Sequence, residues 1–354
     1  MPRLSGLIIA IAAIVLAGCD QAPPPPGPLP DLPTALPSRP SPSPSTANEL
    51  TLAFAGDVHF VDHTLPLLND PKTTFGPFAK QLSAADWSMV NLETAITERG
   101  EKQPKNFHFR APASAYQAIQ AAGVDLVSIA NNHTLDYGQI GLLDTLDGAK
   151  AANMPVVGAG RNVTEAYEPY ITTVKGVKLG VVALSQVWEL AGPWKATAAK
   201  PGIAMAHDRK LSVAAVKKAR SLADVVIVYL HWGTEDVNCP NTDQKSIAKE
   251  LAVAGADIIV GTHSHVPQGD GFSGKTYVHY GLGNFLWARS GSKDTGLLLV
   301  TVRRDGRVTG REFVVGTVSE TGQPIPVFGT QKDAIQKRLD ESAKCTGLAE
   351  APSS

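Results

Sequence analysis

Short apolar runs that end in polar, ligand-type residues constrain this chain more than any other feature. The runs lie at residues 50–55, 88–92, 126–130, 177–184, 225–230, 258–260 and 277–280. Each is too short for a typical helix and rich in aliphatic residues, so they read as strands buried on both faces. Between several of them lie stretches with helical character, at 114–122, 140–152, 211–222 and 246–254. The first and last of these stop at Gly123 and Gly255, residues suited to a helix C-cap. Strands alternating with helices predict an α/β domain. Farther on, runs at 296–303 and 308–315 flank Arg304-Asp305-Gly306, a hairpin turn. After residue 331 the pattern becomes a polar helix and then a fraying end.

The polar residues just after the strand runs carry the chemistry. The first run leads into Gly56-Asp57-Val58-His59 and the second into Asn91-Leu92-Glu93. The third leads into Asn131-Asn132-His133, a later one into His231-Trp232-Gly233, and the next into Gly261-Thr262-His263-Ser264-His265. Ligands of α/β folds bind beyond the carboxyl ends of the strands. Separate strand ends therefore deliver Asp, Glu, Asn and His side chains towards one region. Any one of them alone reads equally as a core histidine, a helix cap or a turn residue; their coincidence is hard to attribute to chance. Imidazole and carboxylate together suit Zn, Mn and Fe. Two such ions about 3.5–4 Å apart clamp the attacking and leaving oxygens of an in-line displacement. If His263 and His265 lie in an extended loop rather than a regular strand, each ring can approach a different ion.

The N-terminal segment has a different character. Arg3 precedes an apolar run, residues 4–16, which is too short for a spanning helix but suits a signal-peptide core. It ends in Leu16-Ala17-Gly18-Cys19, which resembles the lipobox of bacterial lipoproteins. That resemblance implies a signal peptide at 1–18 and lipidation of Cys19. Several acyl chains anchor a protein firmly where one does not. Residues 19–48 then form a proline-rich stalk without apolar periodicity. The folded part is divided into a main domain at 49–330 and a polar helix and tail at 331–354. Cys239 and Cys345 remain; in an oxidising compartment they either bridge or stay as buried thiols. Lys+Arg number 32 against 33 Asp+Glu, so phosphate neutralisation is not available as a driving force and no nucleic-acid partner is expected.

The fuller motif strings are more specific. The order Asp-x-His, acid, Asn-His, His, His-x-His resembles the calcineurin-like metallophosphoesterases. Within them, Asn91-Leu92-Glu93-Thr94, Ala130-Asn131-Asn132-His133 with Asp136-Tyr137-Gly138, and His231-Trp232-Gly233-Thr234-Glu235 are similar to the bacterial capsule synthesis protein CapA family. Gly261-Thr262-His263-Ser264-His265 and Tyr280-Gly281-Leu282-Gly283-Asn284-Phe285 complete the likeness, which covers about residues 50–288. The resemblance implies an α/β fold of the metallophosphoesterase type, an αββα four-layer sandwich. It implies two divalent metal ions (Mn, Zn or Fe). Asp57, His59 and His265 would hold the first and Asn132, His231 and His263 the second, with Glu93 bridging. His133 would act as general acid, oriented by Asp136. Two departures stand out: the wider superfamily uses Asp where Glu93 lies, and the Asp136 spacing is longer than usual.

The motifs are compatible with two functional classes. One is a membrane-anchored, extracytoplasmic, metal-dependent hydrolase or transferase acting on a phosphoester, or on an amide or poly-γ-glutamate-like polymer of the envelope. The other is a non-catalytic subunit of a polymer synthase or export complex. Nearby residues keep two readings each. Trp232 and Glu235 shape a pocket or simply pack. Asn284 reaches the site or caps a turn. Arg110 contacts an anionic substrate or is a solvated charge. His63, His207 and His279 lack motif neighbours and read as structural.

Overall fold

The computed structural model describes residues 49–289 and 291–353. The signal segment 1–18, the lipidation site Cys19 and the stalk to residue 48 lie outside the described residues. Among the described residues no helix is long and apolar enough to cross a membrane.

In chain order the strands of the two large sheets are β1 (Glu49–Val58), β2 (Trp87–Leu92), β3 (Leu126–Ser128), β4 (Val156–Val157), β5 (Tyr170–Val174), β6 (Val177–Ser185) and β7 (Val225–His231). Next come β8 (Ile258–Thr262), β9 (Pro267–Ser273), β10 (Thr276–Leu282), β11 (Asn284–Leu286), β12 (Asp294–Arg303), β13 (Val308–Val318) and β14 (Pro324–Pro326). The first sheet runs β14-β13-β12-β1-β2-β3-β4, with β11 also pairing β1; the second runs β9-β10-β8-β7-β6-β5. Strands β1 to β4 are mutually parallel, as are β6, β7, β8 and β10. Antiparallel strands edge both sheets, and β12 and β13 form the hairpin expected around Gly306.

Side-chain alternation stacks the layers. On β1, Leu50, Leu52 and Phe54 face the second sheet, meeting Leu179 and Val181 of β6, Ile227 and Tyr229 of β7 and Ile258 of β8. Ala53 and Ala55 face the other way, towards the helices α1 (Ser114–Ala121) and α2 (Gly138–Ala151). The second sheet turns Val182, Val228 and Ile259 outward onto α3 (Arg209–Leu222) and α4 (Thr242–Ala254). The result is the four-layer αββα sandwich. Each fully buried Leu, Ile or Phe of these layers contributes about 1.5–3 kcal/mol of burial. Helix α4 starts earlier than expected because Asn241 and Gln244 close a reciprocal capping box. It ends as expected at Gly255, whose φ of 112° suits glycine.

The polar helix expected after residue 331 is present, and only the end beyond it differs, being packed rather than fraying. Helix α5 (Gly329–Ala343) packs Ile335 and Leu339 against Val315 of β13. Beyond it, Cys345 is disulfide-bonded to Cys239, 106 residues away, and Ala349 bridges to Phe272 of β9. The end of the chain is thus tied to the rest of the fold.

Candidate metal centre

The parallel strands of both sheets end on one side, and their carboxyl ends meet. The junction needs close backbone contact. A Cβ on Gly56 would stand 1.8 Å from the Gly283 carbonyl oxygen, and one on Gly261 would stand 1.9 Å from that of Tyr280. Only glycine permits either approach. The Tyr229 hydroxyl donates to the Ala55 carbonyl and joins the two sheets just beneath the site.

Asp57 is fully buried near the end of β1. Its Oδ1 accepts from Asn91 Nδ2 (2.7 Å), and its Oδ2 accepts from the His263 backbone N–H (3.1 Å). His265 Nδ1 lies 3.4 Å from the same Oδ2 and 2.8 Å from Asn284 Oδ1. Asn284 thus reaches the site. His231, last residue of β7, has Nδ1 3.0 Å from Thr262 Oγ1 and Nε2 2.7 Å from Asn132 Oδ1. Its Nε2 also stands 3.6 Å from Glu93 Oε1.

Glu93 is the centre of this arrangement. It is fully buried, and among the described residues neither of its carboxylate oxygens has a hydrogen-bond partner. Two groups of ligand atoms share it: Glu93 with His263 and His265, and Glu93 with Asp57 and His231. Burial, reinforced by the Asp57 charge, pushes its pKa well above the ordinary carboxylate range. Burial also holds the imidazoles of His231 and His263 neutral, the latter near about 3. His265 differs. Burial disfavours its cation, but the hydrogen bond and charge of Asp57 prevail and raise it.

A buried carboxylate without hydrogen-bond donors, beside neutral imidazoles, lacks a counter-charge. Divalent cations fit that deficit, and the donors offered are carboxylate oxygens and imidazole nitrogens. The two histidines after β8 are not in an extended loop. His263 has φ 83° and His265 φ 56°, left-handed conformations that non-glycine residues rarely adopt. These φ values turn the chain sharply and bring both rings onto Glu93. His59 stands apart. Its Nε2 accepts from the Ala288 N–H (2.8 Å), its Nδ1 is buried without a partner among the described residues, and its ring stacks on Trp287 at 4.0 Å. It belongs to neither group of ligand atoms.

His133 and Asp136 form the second half of the site. His133 Nδ1 lies 2.7 Å from Asp136 Oδ2, and its Nε2 points towards Glu93 Oε1 at 3.8 Å. The longer spacing works because both residues lie on one tight turn, closed by Asp136 N–H donating to the His133 carbonyl. Burial raises Asp136 to about 7, opposed by Lys105. His133 is held neutral, first by burial and then by the Lys105 charge.

Sequence reasoning missed Lys105. Its ammonium is buried, 3.0 Å from Asp136 Oδ1 and 3.1 Å from Glu189 Oε2, and it donates to the Asn132 carbonyl. It also missed Phe109, which stacks on His133 (4.0 Å) and meets His59 edge-on (4.6 Å). The available signal was the charged and aromatic string from Lys105 to Arg110. Arg110 lies over the Tyr137 ring at 4.1 Å. Trp232 packs structurally, donating Nε1–H to the Tyr280 carbonyl. Glu235 is exposed, and its charge bears on Glu93 and His265.

Comparison with known proteins bears on the same residues. The chain is 32% identical over 306 residues to the capsule biosynthesis protein CapA of Bacillus anthracis, covering 82% of this chain and 73% of that one. It is 31% identical over 265 residues to the PGA biosynthesis protein CapA of Bacillus subtilis, covering 72% and 66%. A crystal structure of a hypothetical protein from Thermus thermophilus is more distantly similar, at 18% identity and a TM-score of 0.48, covering 76% of this chain and 99% of that one. The model of the family described as bacterial capsule synthesis protein PGA_cap matches residues 51–288, a span that contains every strand end of the site. The chain belongs to the bacterial capsule synthesis protein PGA_cap family.

Proposed function

We propose that this chain is a lipid-anchored, extracytoplasmic protein of capsule or envelope polymer synthesis that hydrolyses an anionic polymer, of the poly-γ-glutamate kind, at a two-metal site. The observation that carries the reading is Glu93, a buried carboxylate shared by two groups of ligand atoms, with no hydrogen-bond partner among the described residues. The names of the Bacillus relatives supply the polymer class. Cys19 supplies the anchor, which would set the domain beside a membrane synthase or export complex.

Asp57, Glu93, Asn132, His231, His263 and His265 would hold the ions; His59 joins them only if its ring releases the Ala288 N–H. Divalent ions bound there supply Lewis acidity and lower the pKa of water near the scissile bond. The remaining steps belong to the chain's own residues. His133 faces Glu93 through Nε2, the side from which it would hand a proton to the leaving group. Asp136 fixes that ring by its contact with Nδ1, and Lys105 holds Asp136 by its charge. Phe109 packs flat on the same ring and limits its rotation.

The test is metal analysis of protein purified without chelator, together with cleavage assays on poly-γ-glutamate and bis(p-nitrophenyl) phosphate. We expect about two divalent ions per chain and a fall of about 10²–10⁴-fold in turnover for His133→Ala with metal content unchanged. Absence of bound metal, with no activation by added Mn, Zn or Fe, overturns the hydrolytic reading. Polymer output that needs the protein but not His133 favours a non-catalytic subunit instead.

A further inference from the structure

We propose that Arg289 is a specificity-determining residue whose guanidinium receives a substrate carboxylate next to the bond being cleaved. This rests on the reading of the site as one that acts on an anionic polymer. Arg289 follows the final residue of the family match, so the shared motifs do not include it. Its guanidinium lies over the rings of Phe107 (5.6 Å) and Phe109 (5.4 Å). Phe109 in turn stacks on His133 and meets His59, so one aromatic ring separates the guanidinium from both. The cation therefore stands at the edge of the metal centre, on the same side as the proton donor.

Lys105 and Arg289 are the permanently charged side chains that bear on His133, beside the imidazoles of His265 and His108. Lys105 is already matched by two carboxylates, Asp136 and Glu189. Arg289 is not matched in this way. Among the described residues its guanidinium makes no hydrogen bond, and its ion-pair partner is the exposed Asp62 at 3.6 Å. Its side chain is 38% exposed, with the two aromatic rings beside it. A planar guanidinium fork without a hydrogen bond among the described residues is suited to bidentate recognition of a carboxylate. A γ-linked glutamyl chain carries one such carboxylate beside every amide bond. Positioning that carboxylate at Arg289 would set the neighbouring amide beneath His133 and Glu93. The exposed Phe107 offers an apolar surface for the methylene groups between them.

The experiment measures binding of an oligo-γ-glutamate and of its α-methyl ester to the full, Mn-loaded chain at low salt. The wild-type protein is expected to bind the free acid about tenfold or more tightly than the ester. Arg289→Gln should lose that preference by weakening only the free acid, and Arg289→Lys should keep part of it. Metal content, measured on each variant, should not change. A preference undiminished in Arg289→Gln overturns the inference and leaves the hydrolytic reading intact. A preference that depends on Arg289 without any cleavage supports carboxylate recognition by Arg289 and removes both the hydrolytic reading and the placement beside a cleaved bond. Wild-type protein that binds neither ligand overturns both.

Discussion

The middle of the sandwich and its carboxyl rim are built from the same strands but obey opposite rules. In the middle, β1 sends Leu50, Leu52 and Phe54 into the layer between the sheets, where they meet other apolar side chains. A few residues later the same strand carries Asp57 into a space shared with Glu93, His231, His263 and His265. The first region removes apolar surface from water and leaves little polar chemistry behind. The second buries a carboxylate without partners and holds two histidines in left-handed conformations. Such a rim would not form unaided. The apolar layers impose it, and the comparison predicts that stability and ligand binding can be separated by substitution.

The largest effect is expected in the middle. Phe54 is fully buried and packs edge-on against Trp87 at 6.1 Å. Phe54→Ala should cost about 3–5 kcal/mol in denaturant unfolding. Metal bound per folded molecule should stay the same, because the ligands sit beyond the strand segment that is disturbed. If metal content falls while the protein remains folded, the two regions are coupled more tightly than the layers imply.

His279 is the exception inside the apolar layer and gives the next test. It lies on β10, two residues from Tyr277 and so on the same inner face, with Phe313 at 5.1 Å. Burial lowers its pKa to about 4, with Asp270 opposing and Arg311 assisting. The unfolded histidine takes a proton near its ordinary value of 6.5, whereas the folded one resists. Stability is therefore intact above about pH 6.5 and is lost as pH falls from 6.5 towards 4. The loss amounts to about 3 kcal/mol. Unfolding of His279→Phe should show a pH profile flatter by that amount over this window. A profile parallel to wild type would mean that His279 is already protonated in the fold.

Much of this contrast was legible in the sequence. The apolar runs marked β1, β2, β7, β8 and β10 to within a few residues, since strand burial is a local pattern. The polar strings after them marked nearly every ligand-type residue of the rim. Strand β9, Pro267–Ser273, was not legible: its proline and glycines disguise an edge strand that only pairing with β10 defines. Strand order was equally hidden, because periodicity says which face is buried and not against what. Lys105 and Arg289 escaped for a related reason. A cation becomes informative only through the carboxylates and rings around it, and Asp136, Glu189, Phe107 and Phe109 come from separate parts of the chain. The left-handed turn at His263 and His265 also went unseen, as nothing in His-Ser-His dictates a positive φ.

The smallest effect has the opposite sign and tests the rim itself. Glu93 has its pKa displaced upward by burial and by Asp57, so the metal-free fold prefers it protonated. The unfolded chain ionises it near the ordinary value of 4.5, so in wild type its contribution to stability falls as pH rises above that value. Glu93→Gln keeps the shape and stays neutral at every pH. In chelator at pH 8 this variant should therefore be more stable than wild type, by about 1–3 kcal/mol, and the gap should shrink towards pH 5. Added Mn or Zn should reverse the order, since metal held at the site would favour the folded wild type and would lack the Glu93 carboxylate in the variant. Calorimetry of both proteins, with and without metal, reads all four states. A variant less stable than wild type in chelator at pH 8 would mean that Glu93 is satisfied without metal, and the rim would then be an ordinary polar core rather than a site held against the fold's own preference.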